Sequence, residues 1–210
     1  MRKFLFIIIF FTALSEVPAQ TILLDKPEFY LGTSHGGTIS TLYFDPAVKQ
    51  DALFGYNGGI LFRYVAEKGK ALQMEFNYSQ RGWAEKDNLY ARRLNYIEMP
   101  FLMHLYWGDK VRFFFNLGPK VACLLNENVL YNNTENSTKE QHINEIYNKF
   151  DYGVTAGIGL EFAFKKQHFS LEPRANFSLN TAFSNNKRNA YSFSNNMNLA
   201  VNLAWLMQMK

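Results

Sequence analysis

Residues 72–83 alternate strictly between apolar and polar side chains, and this alternation constrains the fold more than any other stretch. The two sets are Leu72, Met74, Phe76 and Tyr78 on one face and Gln73, Glu75, Asn77, Ser79 and Arg81 on the other. A period of two is typical of a β-strand with two unlike faces, because a helix would distribute these residues around its circumference. In a soluble sandwich the polar face would meet water. In a membrane β-barrel the apolar face meets lipid and the polar face lines the interior.

Seven further segments show related patterns, which gives eight candidate strands. They span residues 29–41, 54–65, 72–83, 92–107, 111–125, 150–164, 168–182 and 191–208. Short turns follow the second, fourth and sixth strands and longer links follow the others, as in outer-membrane barrels. An even number of strands places both termini at the short-turn side. The sequence therefore predicts an all-β fold, an eight-stranded antiparallel up-and-down transmembrane β-barrel in a bacterial outer membrane, with periplasmic termini.

The overall composition is compatible with this fold and leaves one alternative. A mean hydropathy of −0.22 argues against a helical membrane protein, but barrels escape this measure because every second residue is polar. The alternative is a soluble sandwich or a lipocalin-like ligand-binding barrel. The single cysteine, Cys123, counts against it because small exported soluble folds usually carry disulfides. Large apolar faces on nearly every strand also exceed what one closed core would hold.

The start of the chain has the composition of a secretory signal peptide. It begins with positively charged residues, which are followed by an apolar run over residues 4–14. Small residues then precede a cleavage site between Ala19 and Gln20. The apolar run is shorter than the about 20 residues that a transmembrane helix needs. We therefore expect a signal peptide over residues 1–19 and an outer-membrane barrel domain over residues 20–210.

Charged side chains alternate with the apolar residues of strands two to seven. They are Arg63, Glu75, Arg81, Glu98, Arg112, Lys120, Glu161, Glu172 and Arg174. These residues would point into a lumen that, at eight strands, is just wide enough for side chains to fill. Because an isolated buried charge is costly, we expect opposite charges to pair, in one group on strands two to five and another on strands six and seven. The prediction is a structural plug, and the alternative is a narrow path for a solute or a proton.

Aromatic residues and prolines allow predictions about the strand ends and the strand register. Aromatic residues near strand ends fit the girdles of a membrane barrel; they are Tyr56, Trp83, Trp107, Tyr152 and Trp205. Pro100, Pro119 and Pro173 lie within strands, where they lack the ladder donor, and therefore predict β-bulges.

The polar segment over residues 126–149 predicts a long extracellular loop. Within it, the spacing of the apolar residues resembles one face of a short helix. These residues are Leu130, Tyr131, Ile143, Ile146 and Tyr147. Because loops on a rigid scaffold often carry function, they are candidates for contact with another envelope protein. The alternative is a lid that packs on itself.

Few features of the sequence indicate catalysis or a cofactor. The four histidines have no metal-ligand spacing, and the basic residues are scattered rather than clustered as in nucleic-acid-binding proteins. A Ser-His-Asp catalytic set could be assembled from Ser34, His35 and Asp151, but any chain of this size permits such a selection. We therefore expect no enzymatic activity, cofactor, metal or nucleic acid, and we expect outer-membrane lipid and possible envelope proteins as partners. A rim enzyme is the less favoured alternative.

The Tyr-Ile-Glu-Met-Pro box at residues 96–100 resembles a motif of the PorT-like family of small outer-membrane β-barrels of Bacteroidetes. The glycine-rich first strand, Tyr-Ser-Gln-Arg-Gly at 78–82 and Leu-Gly-Pro at 117–119 also match, and their order and spacing agree across nearly the whole mature chain. The resemblance implies an eight-stranded outer-membrane barrel. It implies little about activity, although the member that gives the family its name is linked to type IX secretion. Residues 205–210 depart from the pattern, since they lack the terminal aromatic that the insertion machinery reads.

Overall fold

The computed structural model describes residues 23–133, 139–183 and 191–209. Its strands are β1 (Leu23–Asp45), β2 (Gln50–Asp51), β3 (Leu53–Glu67), β4 (Lys70–Glu85), β5 (Tyr90–Gly108), β6 (Val111–Asn132), β7 (Phe150–Phe164), β8 (Gln167–Thr181) and β9 (Phe193–Gln208). A 3₁₀ turn (Lys86–Asn88) and a single helical turn (Glu140–Ile143) lie in the connections. No helix within these ranges is long and apolar enough to cross a membrane. The expected signal peptide and its Ala19–Gln20 cleavage site lie outside the described residues.

Eight long strands form a closed antiparallel ring, which confirms the predicted fold class. Each long strand pairs with its neighbours along the chain, and β1 pairs with β9 to close the barrel. The two-residue strand β2 adds only a short pairing at the end of β4. Closure leaves no open sheet edge along the ring, as lipid requires.

The stagger of the strands follows from the hydrogen-bonded partners around the ring. The path starts at Phe113 and runs through Leu160, Leu171, Leu203, His35, Gly58, Tyr78 and Ile97 to Cys123. It returns to β6 ten positions from where it began, and this displacement is the shear of the barrel. His35 is the midpoint of the path, so it lies halfway along the barrel axis between Phe113 and Cys123.

Large apolar side chains cover the outer surface of all eight long strands. Examples are Phe54, Leu72, Phe101 and Leu203, each more than half exposed. A continuous belt of this kind is expected to face lipid. The polar faces of the strands point inward and are buried, so the soluble alternative, which needs them at the surface, is wrong.

Four of the five predicted girdle residues are exposed on the outer surface, and the fifth is a correction. Tyr56, Trp107, Tyr152 and Trp205 are 43–58% exposed. Trp83 is fully buried inside the barrel. The reason is its parity, since Trp83 is an odd-numbered residue of β4 and shares the inward face with Glu75 and Arg81.

Short turns close one end of the barrel, which we call the turn end, and longer connections close the loop end. Gly69 and Gly108 adopt positive φ angles of 88° and 111° at two of the short turns, a conformation that favours glycine. The predicted bulges at Pro100, Pro119 and Pro173 are wrong, because the cross-strand register passes through each proline without a shift. The shifts in the β5–β6 pairing occur instead between residues 91 and 96, near the loop end.

The predicted loop boundary is also corrected. Residues 126–132 belong to β6, because β5 begins at Tyr90 and offers a partner strand as far as Asn132. The polar composition of this segment reflects a hairpin that extends past the start of β7, rather than an irregular loop. The connection itself covers residues 133–149, and we call it loop 3.

Candidate functional site

The lumen is filled by side chains over most of its length. An apolar cluster closes the loop end; it consists of Leu42, Phe44, Trp83, Tyr90, Leu94, Tyr96, Ala122, Leu124, Ile146, Ala182, Phe183 and Tyr191. A smaller cluster lies toward the turn end and consists of Tyr30, Leu61, Val65, Ala71, Tyr106, Phe114 and Leu206. Three groups of paired charges lie in the lumen, the last of them among the residues of the smaller cluster.

The Arg81 group lies next to the loop-end cluster. Arg81 donates from Nη2 to Glu98 at 2.7 Å and from Nη1 to Asp151 at 2.9 Å. Its guanidinium also lies 4.3 Å from the centre of the Tyr96 ring, a distance suited to a cation–π contact. The Lys120 ammonium is 3.7 Å from Glu98, which is an ion pair longer than a hydrogen bond. Arg81 therefore bridges two carboxylates contributed by β5 and β7, and Lys120 supplies the second positive charge of the group.

The Arg174 group spans the middle of the lumen. Arg174 binds both oxygens of Glu75, at 2.7 and 2.8 Å, and also donates to Glu172 at 2.8 Å. Such fork-to-fork pairing is the strongest geometry available to an arginine and a carboxylate. Glu75 accepts two further bonds, from Gln73 at 2.6 Å and from Asn77 at 2.8 Å. All five residues are buried, and β4 and β8 stand opposite each other in the ring, so this contact crosses the lumen.

The Glu161 group lies nearest the turn end. Glu161 binds Arg63 of the opposite strand β3, and it also pairs with Arg112 at 3.2 Å and with the His168 ring at 3.0 Å. Arg63 uses its Nε to donate to Gln73 at 2.8 Å, which connects this group to the Arg174 group. The Glu161 and Arg174 groups therefore form one continuous hydrogen-bonded network through Gln73.

All nine predicted lumen charges point inward, but they do not form the two separate groups expected from strand order. Arg63 pairs with Glu161 and Arg174 pairs with Glu75, so both expected groups are joined across the barrel. Alternation specifies which face a residue occupies, but not its height, and the stagger of the strands brings distant positions together. The three groups contain five basic and five acidic residues, so they are neutral overall when His168 is uncharged.

Two members of the network were missed by the sequence analysis. Asp151 accepts bonds from Arg81 and from the Ser178 hydroxyl, at 2.9 and 2.7 Å. His168 contacts Glu161 and packs against the Tyr30 ring at 4.6 Å between centroids. Both lie on the inward face of their strands, so the alternation of β7 and β8 could have identified them.

One glycine makes room for this network. A Cβ atom on Gly157 would lie 2.1 Å from the Glu172 carboxylate. Because Glu172 also accepts from Asn116 at 3.0 Å, its carboxylate has little freedom to move away. A larger residue at position 157 would therefore displace one member of the Arg174 group.

The loop-end cap is a separate assembly in which barrel residues hold loop 3. Arg92 donates to the backbone oxygens of Asn144 and His142 at 2.7 and 3.0 Å, and its guanidinium lies over Trp83 and Tyr90. Tyr90 in turn stacks on the His142 ring, with 4.1 Å between centroids. The cap therefore fixes loop 3 across the mouth of the barrel.

A second contact within the cap is centred on Glu85 at the end of β4. The carboxylate of Glu85 accepts from Gln141 at 2.8 Å and lies 2.7 Å from His142 Nε2. The Tyr191 hydroxyl donates to Gln141 at 2.6 Å, which connects this contact to the start of β9. Loop 3 is thus tied to β4, to β5 and to the chain that enters β9.

The five candidate partner-binding residues separate into exposed and covered positions. Ile143 and Tyr147 are 62% and 70% exposed, and Leu130 is 40% exposed on the outer part of β6. Tyr131 is half-buried, and Ile146 is 2% exposed within the loop-end cluster. The expected shared helical face is corrected, because the helical turn ends at Ile143 and Leu130 and Tyr131 belong to a strand.

The geometry of the described residues does not favour a catalytic set. Ser34 is buried in the lumen, while His35 next to it is exposed on the outer surface, because consecutive strand residues face opposite sides. Asp151 is occupied by Arg81 and Ser178. Within the described residues, no group of three or more His, Cys, Asp or Glu side chains is placed to hold a metal ion.

Comparison with known proteins agrees with this architecture. The fold is similar to the outer membrane protein OprG from Pseudomonas aeruginosa, with 10% identity, coverage of 90% of this chain and 98% of OprG, and a TM-score of 0.56. It is less similar to Ail, the attachment invasion locus protein of Yersinia pestis (14% identity, coverage of 86% and 99%, TM-score 0.47), and to Neisserial surface protein A (10% identity, coverage of 86% and 98%, TM-score 0.47). No curated protein matches the chain.

At these identities the solved structures show the fold alone. The sequence itself gives a stronger result, since residues 27–184 match the family described as outer membrane protein beta-barrel domain. The match covers well over half of the chain and extends from the first strand to the end of β8. The protein therefore belongs to the outer membrane protein beta-barrel domain family.

Proposed function

We propose that the protein is a non-enzymatic outer-membrane barrel with a closed lumen, whose loop end is a platform for binding another envelope protein. The observation that carries the first part is the bidentate contact between Arg174 and Glu75, which joins opposite strands across the lumen. A lumen crossed by paired charges and closed by an apolar cluster favours a structural barrel over a solute channel.

Conductance in a planar bilayer tests the closed lumen. The wild-type protein is expected to give no steady conductance. A variant that combines Glu75→Ala with Arg174→Ala removes both sides of the central contact and is expected to leak. Steady wild-type conductance would instead support a narrow channel.

The proposed orientation places the loop end outside the cell and the termini in the periplasm. It is supported by the short connections at the turn end and the longer ones at the loop end, the arrangement typical of outer-membrane barrels. The test is labelling of intact cells with a membrane-impermeant maleimide, in a Cys123→Ser background. Tyr147→Cys is expected to react and Lys166→Cys is expected to stay protected until the cells are opened. The reverse pattern would overturn the orientation.

The proposed partner surface consists of the exposed apolar residues Leu130, Ile143 and Tyr147. Arg92 and Glu85 hold loop 3 in place, so these side chains are presented by a supported loop, as binding residues often are. The resemblance to the PorT-like barrels supports an accessory role in protein secretion or surface assembly.

Site-specific photocross-linking in native outer membranes tests this surface. A photoreactive residue at position 143 or 147 is expected to capture a defined envelope protein, and the same residue at position 166, at the turn end, is the matched control. Ile143→Ser combined with Tyr147→Ser should reduce recovery of that protein in a pull-down. Equal capture from both ends of the barrel would contradict the proposal.

A further inference from the structure

A pocket of about 420 Å³ opens at the loop end, beside the cap. Its walls come from the connections on both sides of β3 and β4, from loop 3 and from the chain before β9. Its polar lining is mostly basic and includes Lys49, Lys86 and Lys139, and Glu85 is its acidic residue. The volume lies within the range of small-molecule sites, which is about 300–1,000 Å³.

The charge of this pocket is unbalanced. Glu85 accepts a hydrogen bond from Gln141 at 2.8 Å, lies 2.7 Å from the His142 ring, and is reached by the Lys139 ammonium at 3.4 Å. Lys49 and Lys86 make no ion pair with any residue of the described ranges. Two cations therefore remain for a ligand, and the single carboxylate is already engaged by the protein.

The two lysines are brought together by the backbone. The amide of Lys86 donates to the carbonyl oxygen of Lys49 at 3.2 Å, so the two connections that carry these residues are fixed to each other. Leu89 closes the 3₁₀ turn with a bond from its amide to the Lys86 oxygen at 3.4 Å. These bonds place the two lysines on adjoining backbone at the loop end, and both residues line the pocket.

Apolar surface completes the pocket. Val48, Leu89 and Tyr191 line the pocket, and Tyr191 is anchored by its hydroxyl, which donates to Gln141 at 2.6 Å. A lysine ammonium is a compact donor that suits phosphate oxygens, and an aromatic or aliphatic wall suits the flat face of a sugar ring.

We propose that this pocket binds a phosphorylated saccharide, with Lys49 and Lys86 on the phosphate group and the sugar ring against the apolar wall. Two sources share this chemistry: a soluble sugar phosphate and the phosphorylated sugar headgroup of an outer-leaflet lipid. The site is distinct from the exposed residues of loop 3 proposed to contact a protein, so either proposal can fail while the other holds.

Calorimetry on the full-length protein tests the site. Glucose 6-phosphate is titrated into the protein in zwitterionic detergent, and glucose is the neutral control. Binding of the phosphate compound alone is expected, and it should weaken at high salt because the contacts are charged and exposed. The same protein in phosphatidylcholine nanodiscs with and without lipid A tests the lipid source, since lipid A that occupies the site would reduce the apparent affinity for glucose 6-phosphate.

Variants connect binding to the two lysines. Lys49→Ala and Lys86→Ala are each expected to weaken binding by about tenfold or more, because each removes a hydrogen bond between charged groups. The matched control is Lys110→Ala combined with Lys166→Ala, which removes two exposed lysines at the turn end and should change nothing. The proposal is overturned if neither glucose 6-phosphate nor lipid A binds, or if the control weakens binding as much as the pocket variants.

Discussion

The middle of the lumen and the loop-end cap both bury charged residues, but they use them differently. In the lumen, Arg174 and its two carboxylate partners all belong to strands, and the contact joins opposite walls of the barrel. In the cap, Arg92 binds backbone oxygens of loop 3 in addition to Tyr90 and Glu127 of the barrel wall, and Glu85 binds side chains of loop 3. Burial alone therefore does not define the role of a charge. What matters is whether its partners all belong to the barrel wall or include a segment that lies across the mouth.

This difference predicts two kinds of response to mutation. Loss of a lumen charge leaves its partner unpaired. Because that partner belongs to a strand of the barrel wall, it stays buried away from water, and the whole barrel is destabilised. Loss of a cap charge releases a loop that can open on its own, because local opening has a lower free energy than global unfolding.

The largest effect is expected for Arg174→Met. This change leaves the buried carboxylates of Glu75 and Glu172 without their shared cation. Breaking a buried ion pair in this way costs about 3–5 kcal/mol. The free energy of unfolding, measured with urea in phospholipid vesicles, should fall by that amount.

Arg93→Met is the matched control for this experiment. Arg93 is half-buried at the loop end and donates to the Phe54 oxygen at 3.3 Å, with no ion pair among the described residues. Because this single bond is 3.3 Å long and exposed to water, replacement of Arg93 should cost only about 1 kcal/mol. A loss of similar size for both variants would show that the cross-lumen contact has no special weight.

A smaller and local effect is expected for Arg92→Ala. The change removes the donors that hold the Asn144 and His142 oxygens, each a hydrogen bond to a charged group worth about 1.5–3 kcal/mol. It also removes the ion-pair partner of Glu127 on β6, but that carboxylate is 24% exposed and can be solvated in its place. Amide exchange in residues 139–149 should become faster, while the urea midpoint of the barrel moves much less than for Arg174→Met. If the midpoint falls as far as in that variant, the cap and the lumen are one cooperative unit and the comparison fails.

The sequence predicts the strands and their faces well, because both depend on a local period of two. The inward direction of Arg63, Glu75 and Arg174 follows from alternation alone. Their partners do not, because pairing across the lumen depends on the stagger around the whole ring, which is a property of all eight strands together. The same local rule could have placed Trp83 inside, since its parity differs from that of Tyr78.

The contacts of the cap could not be predicted from the sequence. Ile146 is apolar in a polar segment, and this pattern is equally compatible with an exposed contact residue and with a buried one. Only the approach of loop 3 to Arg92 and Glu85 decides between them, and these contacts span 50 and 56 positions of the chain. The extension of β6 to Asn132 was hidden for a related reason, because hairpin strands outside the membrane need no apolar face.

On the outer surface, His35 interrupts the apolar belt halfway along the barrel axis. Its Nδ1 lies 2.7 Å from the Tyr56 hydroxyl, and both side chains are exposed on the outside. Replacing both partners of a hydrogen bond by apolar groups of similar shape is nearly neutral or stabilising. His35→Leu combined with Tyr56→Phe should therefore raise the free energy of unfolding in vesicles by about 0.5–1 kcal/mol. A loss of stability would indicate that the pair has a role that lipid contact does not explain.

The smallest effect is expected at the turn end, where an ion pair of ordinary length is exposed. Lys68 Nζ lies 3.3 Å from Asp109 Oδ1, and the two side chains are 59% and 86% exposed. Exposed pairs gain little, because water screens the attraction and ordering two side chains costs entropy, so Asp109→Ala should change the free energy of unfolding by less than about 0.5 kcal/mol. High salt should abolish even this difference, while the cost of Arg174→Met should persist because buried charges are screened much less. A cost above about 1 kcal/mol for Asp109→Ala would mean that distance rather than burial sets the strength of ion pairs in this barrel.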